Sequence, residues 1–266
     1  MTTRILRMAI GLFCSLSTVV ALSGLAPPAW AEEFRVENKV FLSDKKDGPA
    51  IESTTIFLDD QVYDYLKTPE EITVLDRHEG RFVLLDPVRR IRTELATSEL
   101  SDLVERLRQW AAGQPNEFLR FSAAPELAET YDASTGELRL DSRWIAYRVT
   151  TTTAKTREIS KQYREFGDWY CLLNTRINPG ARPPFARTQV NKALERLGLL
   201  PKEVHLTIHP EGGKLFGQKI TVRSEHQVIP RLVESDRARV AQTDQFMAMF
   251  PTVSFRQYQS RIEPGK

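Results

Sequence analysis

The chain has 266 residues, of which 27% are charged, 41% hydrophobic and 9% aromatic, with 13 Gly and 15 Pro. These proportions exclude collagen-like, mucin-like and disordered acidic sequences and leave a globular protein long enough to bury its own core. Lys and Arg number 37 against 35 Asp and Glu, a balance that gives no electrostatic case for nucleic acid as a partner.

At the start, Arg4 and Arg7 precede an uncharged, largely apolar run from Met8 to Leu25. Ala29-Trp30-Ala31 then places small residues at both positions that a signal peptidase reads. Residues 1–31 are therefore expected to be a secretory signal peptide cleaved before Glu32, with 32–266 forming a single α+β domain. An uncleaved anchor is the competing reading, since the run is long enough to span a bilayer. Ser15, Ser17, Ser23, Gly24 and Pro27-Pro28 dilute it and favour cleavage. Cys14 follows Leu12 and Phe13 inside the run, not small residues at its end, so a lipid anchor is not expected. No later stretch is apolar enough to span a membrane. The expected product is exported, periplasmic or extracellular, and not an integral membrane protein after cleavage. Losing Arg4 and Arg7 takes Lys+Arg from 37 to 35 and brings the formal charge near zero. Cys171 is then the lone cysteine, so an oxidising compartment adds no internal disulfide.

Beyond the signal, Phe34, Val36, Val40 and Leu42 alternate with Arg35, Glu37 and Lys39, the period of a half-buried strand. Asp44 to Pro49 reads as a turn, and β-branched Ile51 to Leu58 as the next strand. Further strands follow at Val62–Leu66, Ile72–Leu75, Arg81–Leu85 and Arg90–Leu95, joined by short polar turns in a meander. Leu100, Leu103, Val104, Leu107, Trp110 and Ala111 then step by three and four, predicting a helix capped by Thr97 or Ser98 and ended by Gly113 and Pro115. A hairpin is expected from Glu129 to Leu140, and a strand from Trp144 to Thr153. A second helix carries Ile159, Tyr163, Phe166, Tyr170 and Leu173, with Trp169 widening its stripe. A third carries Val190, Leu194 and Leu197 into Leu-Gly-Leu-Leu-Pro, the pattern of a left-handed glycine cap at Gly198. Val204–Ile208 and Leu215–Val228 read as strands around Pro210-Glu211-Gly212-Gly213. A last helix from Ser235 to Met249 turns Val240, Met247 and Phe250 inward, and Val253–Tyr258 reads as a tail. The sum is about eleven strands and about four helices: α+β, a curved antiparallel sheet covered by helices.

Few residues carry the pattern of a reactive site. His205 and His209 would share a metal only on a helix, and the residues around them read as a strand, where four positions span about 13 Å. Asp76, His78 and Glu79 fall in a turn. Cys171 sits between Tyr170 and Leu172 and reads as packing. Neither Gly212-Gly213 nor any serine has a catalytic setting. No catalytic residue, metal or cofactor is expected. The aromatic helix is the most distinctive feature: Tyr163, Phe166, Trp169 and Tyr170, with Leu103, Leu107 and Trp110 on the preceding helix, are the candidate lining of an apolar pocket. Arg182-Pro183-Pro184-Phe185-Ala186-Arg187 reads as a stiff helix entry, with Phe185 plugging a helix junction.

The order Thr55–Leu58, Tyr63-Asp64-Tyr65, Ile72–Asp76, Phe82–Asp86 and Arg90–Glu94, followed by a helix to Trp110, resembles the strand ladder of outer-membrane lipoprotein-carrier-like proteins. Those are exported half-barrels whose helices cover an apolar concave face that holds lipid or acyl chains. The likeness departs at the beginning, where this chain opens on a strand and the carriers on a helix, and it transfers no residue roles. What it implies is a non-enzymatic exported binding protein with a lipid or other apolar ligand as partner. The competing expectation is an envelope structural or interaction protein with a filled core, whose partner is another envelope protein.

Overall fold

Strand β1 (Phe34–Leu42) is the seam of the sheet. The computed structural model describes residues 32–42, 48–178, 183–209 and 220–260. The segment 1–31 read as a signal peptide, most of the Asp44–Pro49 turn, Arg182, and the Pro210–Gly213 turn with the start of the strand read from Leu215 lie outside them.

From β1 the chain walks outward in hairpins through β2 (Ile51–Leu58), β3 (Gln61–Leu66), β4 (Glu71–Asp76), β5 (Arg81–Asp86) and β6 (Ile91–Ala96). Helices α1 (Thr97–Ala112) and α2 (Glu117–Ala123) carry it to the opposite edge. It then walks inward through β7 (Ala128–Asp132), β8 (Glu137–Asp141) and β9 (Ile145–Thr153). Helices α3 (Arg157–Ile177) and α4 (Phe185–Leu197) follow, then β10 (Leu199–Ile208) and β11 (Ile220–Ile229). Helices α5 (Glu234–Met249) and α6 (Phe255–Gln259) close the described chain. The eleven strands form one open sheet in the order β6-β5-β4-β3-β2-β1-β11-β10-β9-β8-β7. All neighbours are antiparallel, so two meanders meet where β1 pairs with β11. The fold is α+β, as the alternating and helical periods predicted.

The helices divide between the two faces. On the inner face, Phe34, Val36, Phe57, Val62, Phe82 and Leu84 pack with Leu100 of α1 and Ile159, Phe166 and Leu173 of α3. Farther along the same sheet, Val149, Leu199 and Val204 pack with Val190, Ala193 and Leu194 of α4. On the outer face, Ile56, Tyr63, Tyr65, Val74, Val83 and Leu85 pack with Val240 of α5 and Phe250 just past its end. This explains why β4 and β5 are buried at nearly every position while β8 and β9 alternate buried and exposed. Strands covered on both faces read as continuous apolar runs, and strands covered on one face read with period two.

Polar contacts fix α5 to the sheet. Arg35 Nη1 donates to both carboxylate oxygens of Asp236, at 2.7 and 2.9 Å. Asp236 also accepts from the Val233 backbone amide at 2.9 Å, at the start of α5. The Tyr65 hydroxyl meets Thr243 Oγ1 at 3.0 Å, and the Arg239 guanidinium stacks 3.8 Å from the Tyr65 ring centroid.

Three local expectations are corrected. Thr97 is the first residue of α1 and does not cap it, because its hydroxyl donates to the Gly80 carbonyl at 2.8 Å. The loop after α1 contains the short helix α2, capped by Asn116, whose Oδ1 accepts from the Leu119 amide at 3.0 Å. The tail from Val253 contains α6, opened by Ser254 and Gln257. At seven and five residues these helices are too short to display a period. The expected glycine cap is present: Gly198 ends α4 at φ 68°, ψ 33°, a left-handed conformation that leads straight into β10. Among the described residues no helix is long and apolar enough to cross a membrane.

Candidate functional site

A cavity of about 860 Å³ lies between the inner face of the sheet and helices α3 and α4. That volume is in the range of small-molecule sites, about 300–1,000 Å³. Strand parity decides what faces it. Ile145 and Tyr147 of β9 and Val204, Leu206 and Ile208 of β10 form an apolar wall. Phe166, Leu173 and Ile177 of α3 and Ala186 of α4 face it across the cavity. Phe166 is braced edge-on against Phe57, with centroids 5.7 Å apart.

At the middle of the sheet the inward positions turn polar. Asn38 follows Phe34 and Val36 in phase on β1, and Asp64 follows Val62 in phase on β3. Register aligns them, with His226 opposite Asn38, Asn38 opposite Ser53, and Thr55 opposite Asp64. Asn38 Nδ2 donates to Thr55 Oγ1 at 2.9 Å and to Ser53 Oγ at 3.3 Å. Thr55 in turn donates to Asp64 Oδ1 at 2.7 Å. Asn38 Oδ1 lies 2.9 Å from His226 Nδ1, and His226 Nε2 lies 2.9 Å from Ser224 Oγ.

This network assigns the histidine tautomer. The Asn38 amide nitrogen is committed to hydroxyls, so its carbonyl oxygen needs a donor, and Nδ1–H of His226 supplies it. Nε2 then accepts the Ser224 hydroxyl. The donors run in one direction from Ser224 through His226, Asn38 and Thr55 to Asp64. Burial, reinforced by the positive charge of Arg187, lowers the His226 pKa to about 3, so the ring is neutral. Burial pushes the Asp64 carboxyl up, against hydrogen bonds from Thr55, Ser53 and Tyr170 that pull it down. Tyr170 is raised well above the usual phenol range, first by the Asp64 charge beside it.

Arg187 on α4 also lines the cavity. Its Nε donates to Asn191 Oδ1 at 3.1 Å, and Asn191 Nδ2 donates to Asp168 Oδ1 at 2.8 Å. Asp168 is itself paired with Arg164 at 2.8 Å. Asn191 is 1% exposed and fixes the Arg187 head from behind. Gly167 of α3 makes room for it, since a Cβ there would sit 3.1 Å from Asn191 Nδ2.

Of the seven candidate residues, Tyr163, Phe166 and Tyr170 line this cavity. Leu103, Leu107, Trp110 and Trp169 do not. Trp169 follows about 100° before Tyr170 around the helix and packs into the inner core. Leu103 and Leu107 are half-buried on α1, and Trp110 is 53% exposed. Cys171 is on the cavity wall, its thiol pushed up to about 11 by burial. Phe185 does plug a junction, with the Arg108 guanidinium of α1 stacked 4.3 Å from its ring centroid. His205 sits on β10 bonded to Glu203, and His209 lies just past that strand. His78 is in an exposed turn with Glu79, 3.1 Å away. Among the described residues no three metal-ligating side chains converge. Sequence reasoning missed Asn38, Asp64, His226 and Arg187. The available signal was a polar residue in phase with apolar ones on a strand. Arg187 had no such signal, because its setting depends on α3 crossing α4.

No known protein family matches the chain, and no curated protein matches it.

Proposed function

We propose that this is a non-enzymatic exported binding protein that holds an apolar or lipid-like ligand between the sheet and α3/α4. The observation that carries this reading is the cavity of about 860 Å³ with an apolar wall from β9 and β10 facing Phe166, Leu173 and Ile177. A structural protein with a filled core would close that space, since unfilled volume forfeits contacts and stability. The side chains with reactive potential are engaged otherwise. His226 is neutral with both ring nitrogens in the hydrogen-bonded row, and Cys171 is held as the thiol. Export rests on the segment from Arg4 to Ala31, and the lipid-like character of the ligand on the apolar wall and the resemblance to lipoprotein carriers.

Native mass spectrometry of gently purified protein tests the reading. The expected result is an added mass that organic extraction identifies as a lipid or other apolar molecule. A clean apo mass with no uptake from a lipid panel would sink it. A second test replaces Leu206, half-buried on the wall, with Asp. Uptake should vanish while the protein stays folded, and normal uptake by Leu206→Asp would refute the location.

A further inference from the structure

Resting on that reading, we propose that the cavity selects a single-chain amphiphile with an acidic head, carboxylate or phosphate, seated on Arg187 and the Tyr163 hydroxyl.

The argument starts from the cation. Among the described residues no carboxylate pairs with Arg187, and its one hydrogen bond is Nε to Asn191. Arg164, on the facing helix α3, has both Asp168 and Glu195. The Arg187 charge acts on Tyr163, Cys171 and His226, none of them acidic at neutral pH. With Nε taken, the two Nη groups present the planar fork that matches a carboxylate or phosphate.

Tyr163 supplies a second donor. Its oxygen lies 3.2 Å from His226 Nδ1, the nitrogen that carries the ring proton. With that proton given to Asn38 Oδ1, the phenol at most shares it and cannot donate to the nitrogen. Its own proton has no acceptor in the hydrogen-bonded row and is available to the cavity.

Charge is also arranged along the cavity. The two lining carboxylates, Asp64 and Glu71, belong to β3 and β4. Helix α4 packs on β10, five strands from β4 in the sheet order. An acidic head is repelled at one end and attracted at the other, while the wall of β9 and β10 takes the chain.

The test is calorimetric titration of the purified protein with dodecanoate, dodecyl phosphate, dodecanol and dodecyltrimethylammonium, each below its micelle concentration. At least one acid should bind about ten- to a hundredfold tighter than dodecanol, the range expected for charge-assisted hydrogen bonds. The ammonium amphiphile should bind no better than the alcohol. The preference between the two acids names the source, a free carboxylate amphiphile or a phosphate head group. Arg187→Met should bring the acids down to the alcohol's level and leave the alcohol unchanged, whereas Arg187→Lys should keep most of the preference. Tyr163→Phe, which retains the ring, should cost the acid two- to tenfold. Equal binding of acid and alcohol, or an acid preference that survives Arg187→Met, overturns the head-group assignment and leaves the binding-protein reading standing. Failure of all four amphiphiles to bind overturns both.

Discussion

Gly167→Ala sets two effects against each other at the α3–α4 crossing. In a helix interior Ala is better than Gly by about 0.8–1.0 kcal/mol. The new Cβ would lie 3.1 Å from Asn191 Nδ2 and 3.5 Å from its Cγ, so the amide must retreat by a few tenths of an ångström. Whether it can retreat decides the sign. Asn191 is 1% exposed and tied at both ends, to Asp168 at 2.8 Å and from Arg187 at 3.1 Å. A shift lengthens one of those bonds, and each involves a charged group worth about 1.5–3 kcal/mol. The bond wins over the propensity, and the variant should be about 1–2 kcal/mol less stable. Urea unfolding followed by circular dichroism reads this as a lower midpoint at unchanged slope. In an Asn191→Ala background the obstacle is gone, and the same substitution should stabilise by about 0.8–1.0 kcal/mol. A Gly167→Ala protein more stable than the wild type would refute the reasoning, because it would show an Asn191 free to move.

The buried row across the sheet makes stability depend on pH in two opposed ways. The folded pKa of His226, about 3, is below its ordinary 6.5. The unfolded chain therefore binds the extra proton, and the contribution present above pH 6.5 is lost as pH falls toward 3. His226→Gln should flatten that acid limb in a series of urea midpoints. Asp64 is displaced upward from 3.8, so the fold favours its neutral form, and its contribution is full at low pH and falls as pH rises above 3.8. Asp64→Asn, which cannot ionise, should reduce that decline by the same measurement. Asp236→Ala removes the partner of Arg35 and the acceptor at the start of α5 together. With Asp236 buried and Arg35 partly exposed, the loss should be about 2–3 kcal/mol, and a loss below 1 kcal/mol in thermal unfolding would mean that α5 is held by its apolar contacts alone.

Much of this fold is written locally. Ile72–Leu75 and Phe82–Leu85 have no polar face, and that alone implies cover on both sides, which α3 and α5 supply. Leu138, Leu140, Ile145, Tyr147 and Val149 keep strict alternation because one face of β8 and β9 meets α4 while the other is exposed. The pairing of β1 with β11 is not local. It joins residues nearly 200 positions apart, such as Arg35 and Ile229, and no periodicity within either strand announces it. The row from His226 to Asp64 depends on that pairing, so it was invisible while its members were separate. The pocket candidates split for a geometric reason. On α1, Leu100, Val104 and Ala111 form the buried stripe, and Trp110 points about 100° away from it. On α3, Tyr163, Phe166 and Tyr170 share the cavity side that Trp169 leaves.

The two faces of the sheet show what the inner face gives up. Against α5, the outer face of β2 to β5 packs aliphatic and aromatic side chains, and the hydroxyls of Tyr63 and Tyr65 meet Asp244 and Thr243. The inner face has the same strands and the same alternation available to it. At its centre it instead places Asn38, Thr55, Asp64 and His226, and above them it leaves about 860 Å³ unfilled. Each choice is costly by itself: buried polar groups must be fully paired to break even, and unfilled apolar space loses contacts. Their coincidence at the seam of the two meanders matters more than either alone. The hydrogen-bonded row satisfies its own members from Ser224 through to Asp64, so a guest need not repair it and can be bound by the apolar wall. Arg187 on α4 and the Tyr163 hydroxyl on α3 stand outside that row, and an acidic head would complete what they leave open.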